Sequence, residues 1–218
     1  MTWRRGYGET GGGSAPLTDG WQLYDTLDFA GVTPAASMTV SGQTVTMSST
    51  TNWSAVASGI RCTPSTAGTD LDVALDTWLG AGWQTWSWLL IVDFTNTSMT
   101  AGIDTWCVIG AVVQRVNIST TAADVYLDGA SVAGASSSIT GANIEAMALL
   151  VQDRCVSVYT STTTDPEYAD LTFQGSSTRG GLSNSTAESG RVLRLGTTHT
   201  GDLTVRRIRA LRRSQVAL

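Results

Sequence analysis

The chain predicts an all-β fold, a two-sheet antiparallel jelly-roll sandwich, and three observations predict it. Ser and Thr fill 56 of 218 positions and Gly another 23, a composition that suits pleated strands and the turns between them better than helices. From Trp21 onward, short apolar runs alternate with turn signals, a spacing that yields about a dozen strands. The length fits one sandwich domain with a sizeable core, and nothing in the chain marks a second.

Taken in order, the runs are "WQLYDTLDF", "SMTVSGQTVTM", "SAVASGIRC", "DLDVALD", "WSWLLIVDF", "WCVIGAVVQRVNI", "DVYLDG", "EAMALLVQ", "RCVSVYTS", "YADLTFQG", "RVLRLG" and "LTVRRIRAL". "IEAMALLVQ" has the composition of a short helix, but the tight "QDR" turn that follows it favours a strand. In "WSWLLIVDF" and its flanks, the even positions Trp86, Trp88, Leu90, Val92 and Phe94 are large and apolar, while Thr85, Ser87, Asp93 and Thr95 are polar. A period of two therefore puts Trp86 and Trp88 on the buried face.

The domain plan has three parts: an N-terminal arm over 1–20, the sandwich over 21–205 and a basic C-terminal tail over 206–218. The arm contains "GETGGGSAP", which cannot hold a fixed backbone alone. Held in place, it would need a neighbour, to which Trp3, Arg4 and Arg5 are the expected contacts. All thirteen basic residues are Arg. From Arg191 to the end seven Arg face one acid, giving +6 there and −11 over 1–190 within a net charge of −5. That polarity predicts an electrostatic partner for one end of the chain.

Trp78 and Trp83 flank "LGAG", a connection between strands, and are the candidate ligand contacts: sugar stacking, subunit packing and simple loop anchoring are all open to them. "VRRIRALRRSQ" brings together Arg206, Arg207, Arg209, Arg212 and Arg213, which could neutralise phosphates. The acidic body and the lack of a nucleic-acid motif favour carboxylates of a protein partner instead, with no nucleic acid and no membrane as partner.

A catalytic set is not evident. His199, the one histidine, sits in "GTTHTGD" without a GxSxG elbow. The glutamates Glu9, Glu145, Glu167 and Glu188 form no cross-cleft pair, and a strand through "DPEYAD" would point Glu167 and Asp170 to opposite faces. Asp70, Asp72 and Asp76, and likewise Asp124 and Asp128, lack the dense spacing of a calcium loop. Neither a metal nor a cofactor is expected. Cys62, Cys107 and Cys155 read as small buried hydrophobes rather than a zinc or disulfide framework, with a Cys107–Cys155 bridge the minor alternative. Asn52, Asn96, Asn117 and Asn184 match the glycosylation pattern by chance, and the lack of a signal-peptide core predicts a cytosolic, soluble product.

Two stretches resemble the concanavalin A-like jelly rolls, which include laminin G-like and pentraxin-like modules. "ADVYLDGASVAG" resembles their strand-turn-strand "YVDG" hairpin, with Tyr126, Asp128 and Gly129 in the matching places, and "LRLGTTHTGDLTVRRIRALRRSQV" resembles their closing strands. The glycosidase members' acidic signature is missing, so this resemblance implies a fold and a habit of recognition. "GWQLYDTLDFAGVTPAASMTVSGQTVTM" resembles the opening of jelly-roll structural proteins of tailed bacteriophages. It implies a non-enzymatic virion protein, a capsid decoration or tail-associated component held by arm and tail to other virion proteins or to copies of itself. The alternative is a carbohydrate-binding, lectin-like module for a host glycan.

Overall fold

The computed structural model describes residues 20–63, 69–83, 86–99, 103–109, 112–118, 123–127, 130–131, 144–152, 155–177, 192–197 and 201–213. Sixteen strands are formed among them. In chain order they are β1 Gln22–Asp28, β2 Ser37–Val40, β3 Gln43–Met47, β4 Trp53–Val56, β5 Gly59–Cys62, β6 Thr69–Ala74, β7 Ser87–Met99 and β8 Ile103–Ile109. The remainder are β9 Val112–Ile118, β10 Ala123–Leu127, β11 Ala130–Ser131, β12 Ala146–Gln152, β13 Cys155–Ser161, β14 Thr172–Ser177, β15 Val192–Thr197 and β16 Gly201–Arg213. One short helix, α1 Leu75–Leu79, follows β6, and a 3₁₀ turn, Tyr168–Asp170, precedes β14.

An eight-stranded antiparallel sheet runs β14-β13-β12-β7-β16-β5-β4, with β1 also paired to β16. Two four-stranded sheets, β15-β6-β3-β2 and β11-β10-β9-β8, complete the strand set. "IEAMALLVQ" is a strand as expected, because β12 is hydrogen-bonded on both sides, to β7 and to β13. The β2–β3 hairpin turns at Ser41 and Gly42, with φ of 49° and 82°, the pair of positive φ angles that a type I′ turn requires.

Period-two alternation gives the large sheet two apolar faces. Leu90, Val92, Phe94, Met147, Leu149, Ile208 and Ala210 join Val40, Val45, Leu71, Val73, Leu193 and Leu195 of the β15-β6-β3-β2 sheet in the main core between the layers. Leu89, Ile91, Ala146, Ala148 and Leu211, one residue out of step, form a second cluster on the opposite face with Trp21, and Leu150, Tyr159, Tyr168 and Leu171 pack against it.

Strand β16 changes partner along its length. Leu203–Val205 pair with β5, Arg207–Arg212 pair with β1, and all thirteen residues run beside β7. At the changeover the register with β7 shifts between Val205 and Arg207, the mark of a β-bulge, which adds a residue and twists the strand. The bulge is fitted on the β5 side by Gly59, where an added Cβ would lie 2.1 Å from the Val205 carbonyl oxygen. On the β1 side the Phe29 amide donates to the Arg206 carbonyl at 3.0 Å.

The expected basic tail over 206–218 is therefore corrected: its residues through Arg213 are a central strand. Strands tolerate alternate charged positions when one face carries counter-charges, and the sequence of β16 alternates in that way. The arm, with Trp3, Arg4 and Arg5, lies outside the described residues apart from Gly20.

Candidate functional site

The site is assembled on the face of the large sheet that carries the second apolar cluster. Residues two apart on a strand share a face. Asp93 therefore follows Leu89 and Ile91 along β7, while Arg209 and Arg207 follow Leu211 along β16, and Asp93 and Arg207 are register partners. The pairing carries a fully buried Asp93 carboxylate gripped by Arg209: Nε donates to Oδ2 at 2.9 Å and Nη2 to Oδ1 at 3.0 Å. A two-pronged guanidinium–carboxylate contact of this kind fixes both side chains as well as neutralising them. Arg209 Nη2 also donates to the Pro166 carbonyl at 3.0 Å, tying the 162–171 segment down over the face.

Arg207 Nε lies 3.4 Å from Asp93 Oδ2, and its Nη2 is ion-paired with Asp165 Oδ1. Arg206, the bulge residue, brings Nη2 to 3.9 Å from the same Asp165 oxygen, so both arginines reach one carboxylate. Glu145 completes the group. Burial pushes its carboxyl above the ordinary value, while the charge of Arg206 pulls the other way. Four buried polar atoms of this cluster, Glu145 Oε2, Arg206 Nε and Nη2, and Arg207 Nε, accept or donate no hydrogen bond.

Beside the charged group runs a row of rings. Trp21 and Tyr168 have centroids 6.3 Å apart, Tyr168 and Tyr159 6.4 Å, and Tyr159 and Phe173 5.5 Å, spacings at which aromatic pairs attract one another. Trp21 is buried, Tyr159 and Tyr168 are half-buried, and Phe173 is 55% exposed. The floor beneath is made flat by Ala146 and Ala148. Glu167 and Asp170, which the sequence treats as strand residues on opposite faces, instead cap the 3₁₀ turn that carries Tyr168; the Glu167 amide donates to Asp170 Oδ2 at 2.9 Å.

The structure relocates the tryptophans. Trp78 and Trp83 are 3% and 1% exposed, so neither ring is open to stack on a ligand. Their indole N–H groups donate to Asp25 Oδ2 at 3.0 Å and Asp76 Oδ1 at 2.7 Å, and loop anchoring is the role they fill. Trp88 is buried as the alternation requires and donates to the Trp83 carbonyl, but Trp86 is 37% exposed, because it precedes the first residue of β7 and the period of two does not extend to it. Arg212 sits between Trp86 and Tyr24, 4.7 and 4.8 Å from their ring centroids, and Arg213 lies 5.0 Å from that of Trp21.

Asp76 is engaged by Trp83, and among the described residues no three His, Cys, Asp or Glu side chains converge as metal ligands would. Cys62 is buried, as expected of a small hydrophobe. His199, Glu9, Glu188 and Asp128 lie outside the described residues, as do the side chains of Asp70, Asp124, Cys107 and Cys155. Sequence reasoning missed the charged cluster and the row of rings. The available signal was Arg-x-Arg in a strand, which demands an acid on the facing strand, and Asp93 is the acid inside the apolar run of β7.

No protein-family model and no curated protein matches the chain. Solved structures do share its fold. A Trypanosoma rangeli sialidase in complex with 2,3-difluorosialic acid superposes with a TM-score of 0.55 at 12% identity, over 94% of this chain and 32% of that one. A GH43 glycoside hydrolase engineered in its active site gives 0.54 at 10% identity, over 93% and 42%. The Crh5 transglycosylase gives 0.51 at 12% identity, over 92% and 87%. The chain thus spans about a third of the length of the sialidase it matches. These likenesses place the fold among β-sandwiches of jelly-roll type.

They also overturn the expected virion structural protein. The sialidase, the glycoside hydrolase and the transglycosylase are carbohydrate-active enzymes, and none of these three is a virion component. Two of the features behind that expectation have ordinary structural uses: "WQLYDTLDF" supplies β1, paired to β16, and the Arg-rich end through Arg213 is β16 itself.

Proposed function

We propose that the chain is a saccharide-binding β-sandwich module that holds its ligand along Tyr168, Tyr159 and Phe173 and does not cleave it. The observation that carries this reading is the run of contacting rings on the outer face of the large sheet, open to solvent at Phe173. An exposed apolar surface bordered by charged and polar groups is the usual form of a recognition site, and flat rings suit the C–H faces of sugars. Proteins named for work on saccharides use the same fold.

Among the described residues, the use of the acids supports binding without cleavage, Glu145 being the one acid of the cluster kept toward its protonated form. Glycoside hydrolysis needs two carboxyl groups across a cleft, one free to give a proton and one free to act as base or nucleophile. Asp93 is sealed and held by Arg209, and Asp165 is paired with Arg207.

A glycan array followed by titration calorimetry tests the reading. Phe173→Ala and Tyr159→Ala should each weaken the best ligand by about tenfold, the equivalent of roughly 1.4 kcal/mol, and Phe173→Ala should leave the melting temperature unchanged because the ring is exposed. Unaltered affinity in the double variant, or an array without a ligand, would refute it.

A further inference from the structure

Three arginines converge on Asp93 and Asp165, and their hydrogen-bonding capacity is only partly used. Arg209 is satisfied by Asp93 and Pro166. Arg206 and Arg207 are not: Arg206 Nε and Nη2 and Arg207 Nε are buried and make no hydrogen bond, Arg207 Nε and Arg206 Nη2 having only ion-pair contacts at 3.4 Å to Asp93 and 3.9 Å to Asp165. Unfilled guanidinium donors out of water are costly, and a chain keeps them where something else completes them.

Their present counter-charge is of an unusual kind. Asp165 is 48% exposed and is a non-glycine residue with φ of 56°, at the end of the exposed turn 162–165. A left-handed backbone is mildly strained for such a residue, and its carboxylate reaches Arg207 and Arg206 from solvent rather than from the sheet. Asp165 is also three residues from Tyr168 of the row, a chain distance of at most roughly 10 Å.

We propose that Arg206 and Arg207 form a carboxylate-binding subsite for an acidic saccharide, a uronate- or sialate-type sugar, and that Asp165 occupies it in place of the ligand until one arrives. The inference rests on the saccharide-binding reading of the rings. A carboxylate is assigned because a carboxylate fills the position now, and its planar pair of oxygens matches guanidinium donors. Displacing Asp165 moves only an exposed turn, whereas Asp93, fixed from two sides, stays and keeps the arginines aimed.

The test uses the intact chain on an array of uronate- and sialate-bearing saccharides, each paired with its methyl-esterified counterpart and accompanied by sulfated chains. Carboxylated members should bind about tenfold more tightly than their esters, the value of one charge-assisted hydrogen bond, and added salt should narrow the gap. Asp165→Asn keeps a residue that tolerates positive φ and should widen the preference for the acid by a further factor of about ten, while Arg207→Gln should abolish it. Binding indifferent to esterification, in both the wild type and Asp165→Asn, would overturn the subsite and leave the saccharide reading standing. Equal binding of sulfated chains would overturn the carboxylate assignment. An array with no ligand of either kind would remove the saccharide reading, and this inference with it.

Discussion

Replacing Asp93 by Asn is the sharpest probe of the charged cluster, because the two side chains have nearly the same shape and no cavity is created. Asp93 is wholly buried and accepts two hydrogen bonds from Arg209, at 2.9 and 3.0 Å. An amide offers one oxygen, so at least one guanidinium donor loses its acceptor and the amide N–H₂ faces a cation. Breaking a buried pair by removing one partner costs about 3–5 kcal/mol. At about 2–4 °C per kcal/mol for a chain of this size, the melting temperature should fall by about 6–20 °C. Urea unfolding is the assay, with an unchanged slope as the check that compactness is unaltered.

The double variant Asp93→Leu with Arg209→Met should recover most of the loss, since an apolar pair of similar volume replaces a buried ion pair at little cost. Arg209→Met alone also gives up the bond to the Pro166 carbonyl, but that loss is common to the single and double variants and cancels in the cycle. A cost below about 1 kcal/mol for Asp93→Asn would equal that of an exposed pair. That result, or strict additivity in the cycle, would refute the claim that this ion pair sets the face.

Two further predictions concern the same region. Desolvation favours the protonated form of Glu145 in the folded chain, so the folded state keeps a proton that the unfolded chain has released, and stability falls as pH rises from the ordinary carboxylate value to the raised one. Glu145→Gln should remove that decline, read as parallel urea midpoints for wild type and variant only below this window and a relative gain for the variant above it. Gly59→Ala should destabilise by about 1–3 kcal/mol or more in thermal unfolding, because the new Cβ would meet the Val205 carbonyl oxygen at 2.1 Å, a backbone atom that cannot step aside; a neutral result would show that the bulge is not pinned there.

Where the strands fall along the chain was readable because turns and alternation are local signals. "SMTVSGQTVTM" contains its own hairpin, with Ser41 and Gly42 taking the positive φ angles. Period two correctly buried Trp88, Leu90, Val92 and Phe94. It failed at Trp86, since alternation is a property of the strand and the strand starts at Ser87. It also left the odd positions of β7 as an outer face, although Leu89, Ile91 and Asp93 are as deeply buried as their even neighbours. The cover for that face comes from Trp21 and from Tyr168 and Leu171, far away in sequence, and no window of ten residues can contain it. The site was illegible for the same reason: Asp93, Asp165 and Arg207 are joined by pairing across the sheet, not by spacing along the chain.

The Arg-rich end shows how composition can mislead about position. Five arginines in eight residues suggest a solvated tail, yet Arg207–Arg212 lie between β7 and β1. The strand is possible because Ile208 and Ala210 alternate with the charges and are fully buried in the main core, while each arginine finds a different neighbour on the other side or at the sheet's end. Arg209 takes Asp93, Arg207 divides between Asp93 and Asp165, Arg212 lies between two rings and Arg213 lies over a third. Arg206 is the exception, placed by the bulge as an extra residue that reaches Asp165 only at 3.9 Å. A strand that pairs Arg209 and Arg207 with carboxylates, lays Arg212 and Arg213 over rings and leaves Arg206 without a hydrogen-bonded acid has the asymmetry that a binding site for an outside anion requires.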